Sequence, residues 1–316
     1  MAVDSPCISI IMPVYNAKNT VGRMIDSLLV QTLQNFEILA VDDGSTDGSS
    51  EILDSYSIRD ERIKVIHKSN GGVSAARQTG LDLSCGKYTI HADADDYVES
   101  RMLESLYAKA LETDADVVFC DYYADDAYGN VTLQKQAPPS TPQDTLRALF
   151  QYLHGSCCNK LIRRTCYSMY NIQFPKNLNY CEDLLTWVEL FTHPKIRIAY
   201  VPNAFYHYVT TPTSICHSYS RQLFDNQIMV LSRLQQILGT KYPDLVDCYK
   251  MSIKCGAFEN PIFTADEYYS IFPDLNQEIF NTGMSFFNKL CMYISYSGFY
   301  KLGTSLYKLK NKIKGR

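Results

Sequence analysis

The first 120 residues switch repeatedly between two hydrophobic periods. Short apolar, β-branched runs stand at CISIIMPV (7–14), FEILAV (36–41), IKVIH (63–67), KYTIHA (87–92) and DVVFC (116–120). Between them, apolar residues recur at helical spacing in TVGRMIDSLLVQT (20–32), DGSSEILDSYS (47–57), VSAARQTGLDLS (73–84) and ESRMLESLYAKALE (99–112). Runs that are apolar throughout predict strands covered on both faces, and the amphipathic stretches between them predict crossover helices. The expected class is α/β, a mostly parallel sheet with helices on both faces. Ligands of such sheets sit beyond the carboxyl ends of the strands.

Polar residues gather at four of those ends: PVYN, DDGSTD, SNGG and DADD. One polar tip is an ordinary turn, whereas four predict a crevice along one edge. The pattern loosens around 121–145, in DYYADDAYGN and QAPPSTPQD, and 146–216 is mixed. Helical period returns near 222, where Leu223, Ile228, Leu231, Leu234 and Leu238 fall near one face. Three segments follow from this: 1–125, 126–218 and a helical extension, 219–316.

With 316 residues, 46% apolar and 20% charged, the chain is expected to bury a full core. Its eleven cysteines show no CxxC pair, which predicts reduced thiols of a cytoplasmic protein rather than a disulfide framework or zinc site. The N-terminus has no basic n-region, and no window is apolar for long enough to span a membrane. The net charge of −4 conceals an asymmetry: after Glu278 there are seven Lys/Arg and no acid, so the last 38 residues carry +7 and the rest −11. In that tail Leu302, Leu306, Leu309 and Ile313 recur at helical spacing with lysines off the line, and Phe286, Phe287, Leu290, Tyr293 and Ile294 make a second stripe upstream. Such a helix can lie in an anionic membrane interface or pack on the protein with its lysines in water. A nucleic-acid partner is not expected, because the body is acidic.

The stretch IHADADDYVES crowds Asp93, Asp95 and Asp96 behind an apolar run. A helix cap explains part of it, and hard oxygen ligands for Mg²⁺ or Mn²⁺ explain the number. In VDDGSTDGSSEIL, Ser45 or Asp47 suffices as a cap, which leaves Asp42 and Asp43 to accept from a base or a ribose. In KSNGGVSAARQTGL, Gly71 and Gly72 let the backbone approach a ligand at a helix N-terminus, and Arg77 can reach phosphate or hold a crowding Asp. The spacing is neither GxGxxG nor a Walker loop.

PVYN, VDDGSTDGS, NGGVSAARQTGL and DADD, in this order, resemble the family 2 glycosyltransferases of bacterial polysaccharide synthesis, which have the GT-A fold. NKLIRR (159–164), YCEDLLTWVEL (180–190) and FYHYVTTPTSI (205–215) extend the resemblance over roughly the first 220 residues. It implies a GT-A domain of two halves, 1–125 for the nucleotide-sugar and 126–218 for the acceptor. Pro13 and Tyr15 would flank uracil, Asp43 would meet the base edge with Asp42 beside it, and Gly72, Arg77 and Asp93 would lie at the diphosphate. Asp93-Ala94-Asp95 matches the DXD motif, with Asp95 the direct ligand of Mn²⁺ or Mg²⁺. Ala94 stands where Ser is common and Ser100 where Pro is usual, and neither change removes a ligand. Asp183 matches the acceptor-activating base, with Glu182 beside it, although an acid pair at a helix start also suits the helix dipole. His207 is either a further metal contact or a satisfied core histidine, and Lys160 either neutralises phosphate or covers surface.

The implied reaction is inverting, metal-dependent transfer from a UDP-sugar to a glycan hydroxyl, the acceptor being lipid-linked and the sugar a hexose or N-acetylhexosamine. Peripheral contact with the inner face of the cell membrane through the tail would follow. Two rivals use the same crevice: a sugar-1-phosphate nucleotidyltransferase, which leaves PVYN and the Glu182-Asp183 pair without roles, and a non-catalytic sugar-nucleotide-binding protein, which needs no base.

Overall fold

A computed structural model of the chain describes residues 5–210, 219–260, 262–282 and 284–313. Residues 211–215 of the FYHYVTTPTSI block, and the side chains of Lys312, Ile313 and Lys314, lie outside the described set. The chain divides into two compact units, 1–214 and 215–316. The division expected at 125/126 falls inside the first of them.

The apolar runs of the first unit form β1 (Ile8–Val14), β2 (Phe36–Asp42), β3 (Ile63–His67) and β4 (Tyr88–His91). They pair in parallel in the order β3-β2-β1-β4, with Ile8 opposite both Phe36 and Tyr88. Every residue of β2 is buried, as a central strand covered on both faces requires. The crossovers are α1 (Val21–Leu29), α2 (Ser49–Arg59) and α3 (Val73–Leu83). On α1, Val21, Met24, Ile25 and Leu28 face inward, the spacing of an amphipathic helix, and they join Ile8, Ile10, Ile38 and Leu53 in one core.

Beyond β4 the sheet becomes mixed. The two-residue β5 (Tyr97–Val98) and α4 (Met102–Glu112) precede β6 (Val117–Asp125) and β7 (Val131–Gln134). Then come α5 (Pro142–Ala148), β8 (Lys160–Arg163), α6 (Thr165–Met169), α7 (Glu182–Phe191) and β9 (Ile198–Val209). β8 lies antiparallel between β4 and β6, while β9 runs parallel to β6 and antiparallel to β5. The result is a nine-stranded sheet whose parallel half carries the polar strand tips and whose second half folds back beside them.

The second unit is helical: α8 (Arg221–Leu238), α9 (Pro243–Glu259), α10 (Ala265–Ser270), a 3-10 segment (Pro273–Asn281), α11 (Phe286–Ile294) and α12 (Tyr300–Ile313). Phe258, Tyr268, Ile279, Met292 and Tyr300 form its own core. Lys254 is buried in it, with Nζ donating to the carbonyl of Phe272 at 3.0 Å.

Candidate active site

The site grows from the carboxyl ends of the parallel strands. Pro13 lies at the end of β1, and Tyr15 just beyond it is 55% exposed, a free aromatic face at the rim. Asp42 closes β2 and is buried. Its Oδ1 accepts from the Ser45 N–H at 2.9 Å, and its Oδ2 accepts from Ser50 Oγ at 2.5 Å and faces His67 Nδ1 at 2.9 Å. Burial opposes ionisation there, but these hydrogen bonds pull the carboxyl down to about 2. Asp42 therefore holds the β2–α2 turn in its ionised form.

Asp43, next in the chain, draws the glycine loop inward. Its Oδ1 accepts from Lys68 Nζ at 2.5 Å and the Gly71 N–H at 3.0 Å, and its Oδ2 from the Gly72 N–H at 2.7 Å. The two amides expected to face a phosphate thus point at this carboxylate. Gly72 caps α3 at φ 85° and ψ 165°, a region open only to glycine. A Cβ at this position would lie 2.1 Å from Asn179 Oδ1, so the loop before α7 closes directly over it. Lys68 had no assigned role in the sequence, although a basic residue two positions before NGG and opposite a paired acid is a usable signal.

Arg77 is the centre of the arrangement. It is buried on α3, its Nη2 donates to Asp93 Oδ1 at 2.8 Å, and its Nη1 donates to both Glu182 Oε1 and Asp183 Oδ1. One guanidinium thereby joins the DADD stretch to the acid pair that opens α7, 105 positions along the chain from Arg77 to Glu182. Of the two roles open to Arg77 in the sequence, the structure brings it to the crowding acids. Asp183 is fixed on its other oxygen by the Cys157 N–H at 3.0 Å, and Asp93 by the Cys158 thiol at 3.1 Å. Glu182 and Asp183 also occupy the first turn of α7, where free N–H groups favour carboxylates.

Burial dominates the electrostatics. It raises Asp183, with Asp93 adding and Arg77 opposing. Burial and the neighbouring Asp183 push Glu182 up to about 7. Asp93 moves the other way: burial is the largest influence and raises it, but the Arg77 charge and the hydrogen bonds from Arg77 and Cys158 together bring it below the usual value. Asp96 is buried too, its Oδ2 accepting from Tyr206 Oη at 2.6 Å and its Oδ1 from the Val209 N–H at 2.8 Å. Burial, Asp93 and Asp95 together raise it well above the carboxylate range.

Asp93, Asp96 and Cys158 present ligand atoms within 4.8 Å of one another, and they are the group of three or more potential ligands found among the described residues. Two carboxylates and a thiol suit a divalent ion that completes its shell with other oxygens. Asp95 stays exposed at the rim, and its carbonyl accepts from Arg23. His207 is not in this group. Its ring stacks between Tyr97 and Tyr123, with centroids at 4.1 and 4.7 Å. Nδ1 faces Asp125 at 3.2 Å and Nε2 faces Glu99 at 3.1 Å, so both ring nitrogens are engaged as a satisfied core histidine's are. Lys160 fits neither expected role: fully buried, it donates to the carbonyls of His154 and Ser156 at 2.8 and 2.6 Å and to Asn159 Oδ1 at 2.7 Å. Burial brings it down to about 8. A crevice beside Cys158 and Tyr206 is walled by Tyr122, His154 and Tyr208.

A parallel nucleotide-type half, an antiparallel half folded against it, and acids from both meeting at the strand tips define a GT-A glycosyltransferase fold. The same fold is seen in the crystal structure of S. aureus TarS 1-349 in complex with UDP-GlcNAc, with a TM-score of 0.70 at 18% identity, covering 98% of this chain and 92% of that one. The chain belongs to glycosyl transferase family 2, whose family model matches residues 9–169. It is 34% identical over 217 residues to an uncharacterized glycosyltransferase, EpsJ, of Bacillus subtilis (strain 168), covering 66% of this chain and 63% of EpsJ. It is 31% identical over 232 residues to the putative glycosyltransferase EpsH of the same organism, covering 71% of this chain and 67% of EpsH. The chain thus spans about two thirds of each of these relatives.

Proposed function

We propose that this chain moves a hexose or N-acetylhexosamine from a UDP-sugar to a hydroxyl of a glycan acceptor, with inversion, in the assembly of a capsular, exopolysaccharide or O-antigen chain. The observation that carries the reading is the Arg77 bridge, which sets the Asp93 carboxylate and the Asp183 carboxylate on one guanidinium. A donor site and a base are what single displacement requires on opposite sides of one sugar. A UDP-sugar is favoured as donor because the like-folded TarS was crystallised with UDP-GlcNAc.

Pro13 and Tyr15 flank the uracil, and Asp43 meets the base edge through the one lone pair, on Oδ2, that Lys68, Gly71 and Gly72 leave free. Mn²⁺ or Mg²⁺ would be held by Asp93 with Asp95 or Asp96, and would supply Lewis-acid stabilisation of the leaving diphosphate. A like-folded mannosyltransferase from Pyrobaculum calidifontis was solved with GDP-Man and Mn²⁺, at a TM-score of 0.53. Asp183 takes the proton from the acceptor hydroxyl as that oxygen attacks C1, the bond from C1 to the diphosphate oxygen breaks, and UDP departs. Arg77 and the Cys157 N–H hold the base in one orientation, and its raised pKa brings it toward neutral working pH. Tyr122, His154 and Tyr208 offer faces against which an acceptor ring can pack. Burial and the Lys160 charge hold His154 down to about 4, so it is a neutral hydrogen-bonding group there.

The deciding experiment is UDP release with and without an acceptor glycan, in Asp183 and Asp183→Asn forms. Release that depends on acceptor and is abolished in the variant, with UDP binding retained, supports the reading. Loss of UDP affinity in the variant would remove Asp183 from the role of base.

A further inference from the structure

The second unit has a surface that its own fold leaves uncovered. The leucine stripe of α12 is divided: Leu306 packs against the unit's core, while Leu302 and Leu309 stay exposed. Tyr300, Gly303 and Thr304 are buried, and Tyr307 packs against the unit's core. Gly303 allows this, since a Cβ there would lie 2.1 Å from Ser295 Oγ and 2.3 Å from the Cys291 carbonyl. The chain reverses through Gly298 at φ 103°, and Lys310 near the end of α12 donates to Ser285 Oγ at 3.0 Å and Asn288 Oδ1 at 2.7 Å at the start of α11. The two helices therefore form a hairpin.

The hairpin exposes large apolar side chains along its length. Phe286 is 73% exposed, Phe299 63%, Leu302 53% and Leu309 56%, with Phe287 and Leu290 beside them. Exposed Lys301 and Lys308 border them, and every charged residue after Glu278 is Lys or Arg. Large apolar side chains gathered in exposed positions on one hairpin mark an interaction site, and a site bordered by a single sign of charge selects a partner of the opposite sign. No helix among the described residues is long and apolar enough to cross a membrane.

We propose that the α11–α12 hairpin docks onto an anionic lipid bilayer, its phenylalanines and leucines entering the acyl boundary while the lysines meet lipid phosphates. Charge decides between a bilayer and a second copy of this chain: two copies meeting through this hairpin would bring Lys301 and Lys308 against their like, with no acid in the segment to offset them. This inference stands on the hairpin alone and needs no donor or acceptor to test.

The test is co-sedimentation of the full chain with vesicles of phosphatidylcholine alone and of equimolar phosphatidylcholine and phosphatidylglycerol. Binding is expected to the anionic vesicles and to fall sharply in Phe286→Ser/Leu302→Ser/Leu309→Ser. Lys301→Gln/Lys308→Gln, two exposed changes that leave the apolar face intact, is expected to weaken it about fivefold per lysine. Circular dichroism checks that both variants keep their helices. The proposal is overturned if the chain stays in the supernatant, if neutral and anionic vesicles bind it equally, or if the serine variant binds like the parent. A dimer in sedimentation velocity that the serine variant dissociates, without vesicle binding, would assign the face to self-association instead.

Discussion

Replacing Arg77 by Met tests the site most directly, because it removes one charge from among three carboxylates and keeps most of the side-chain volume. Arg77 is 4% exposed, Glu182 9% and Asp183 13%, so the pairs are screened little by water, whereas Asp93 at 25% is screened more. Breaking a buried ion pair by deleting one partner costs about 3–5 kcal/mol. Here the cost is expected to depend on pH. Without Arg77 the folded carboxyls titrate above their unfolded values near 4, so the folded chain binds more protons than the unfolded one. That protonation favours folding at low pH and is lost as pH rises through the raised pKa. One carboxyl that stays protonated from pH 5 to 8 spans three pH units, worth about 4 kcal/mol. Arg77→Met should therefore cost about 3–5 kcal/mol at pH 8 and on the order of 1 kcal/mol at pH 5. Trp187 is the sole tryptophan, fully buried on α7 one turn from Asp183, so urea unfolding followed by its fluorescence reads this region alone. Equal losses at the two pH values would refute the claim that Arg77 acts by charge on these carboxylates. Arg77→Lys should fall between, since one ammonium cannot fork to both α7 and Asp93.

Further outcomes follow from the same geometry. Because burial raises Asp183, the acid limb of kcat/KM should rise with pH above the ordinary carboxylate range, and an enzyme fully active at pH 4 would contradict this. Gly72→Ala should cost about 1–3 kcal/mol from its backbone region alone, and Gly72→Ala/Asn179→Ala should recover only the steric part, as thermal melting can show. Manganese binding followed by electron paramagnetic resonance should be lost in Asp93→Ala, and comparing Asp95→Ala with Asp96→Ala identifies the second oxygen ligand. Retention of tight Mn²⁺ binding in Asp93→Ala would remove DADD from the metal role.

The parallel half of the sheet was legible because each of its elements is specified within its own span. A strand buried on both faces reads as an unbroken apolar run, and Val21, Met24, Ile25 and Leu28 carry the helical period unaided. Of the second half only β6 was legible, from its apolar start DVVFC. β7 is an exposed edge strand, β8 has four residues, and the β6–β9 pairing shifts register near Asp121, so alternation that would announce strands is short or interrupted. At the site, motif order pointed to the right stretches, but residue type alone could not separate a ligand from a brace. Lys160, His207 and Asp42 all have titratable groups in motif positions, and each is satisfied by partners that residue type does not announce: carbonyls of the preceding loop for Lys160, the following turn and His67 for Asp42, and Asp125, 82 positions away, for His207.

By itself, then, the amino-acid order determined the elements whose burial is a local property, the polar tips those strands must carry, and the segregation of positive charge after Glu278. Only the tertiary structure decided which acids share a cation. Asp93 and Asp183 belong to elements ninety positions apart, and their convergence on Arg77 depends on β8 inserting beside β4 and on α7 starting above the glycine loop. It likewise decided that α12 packs by Gly303 and Leu306 and leaves Leu302 and Leu309 outside, because how closely two helices approach depends on both surfaces and is written in neither alone.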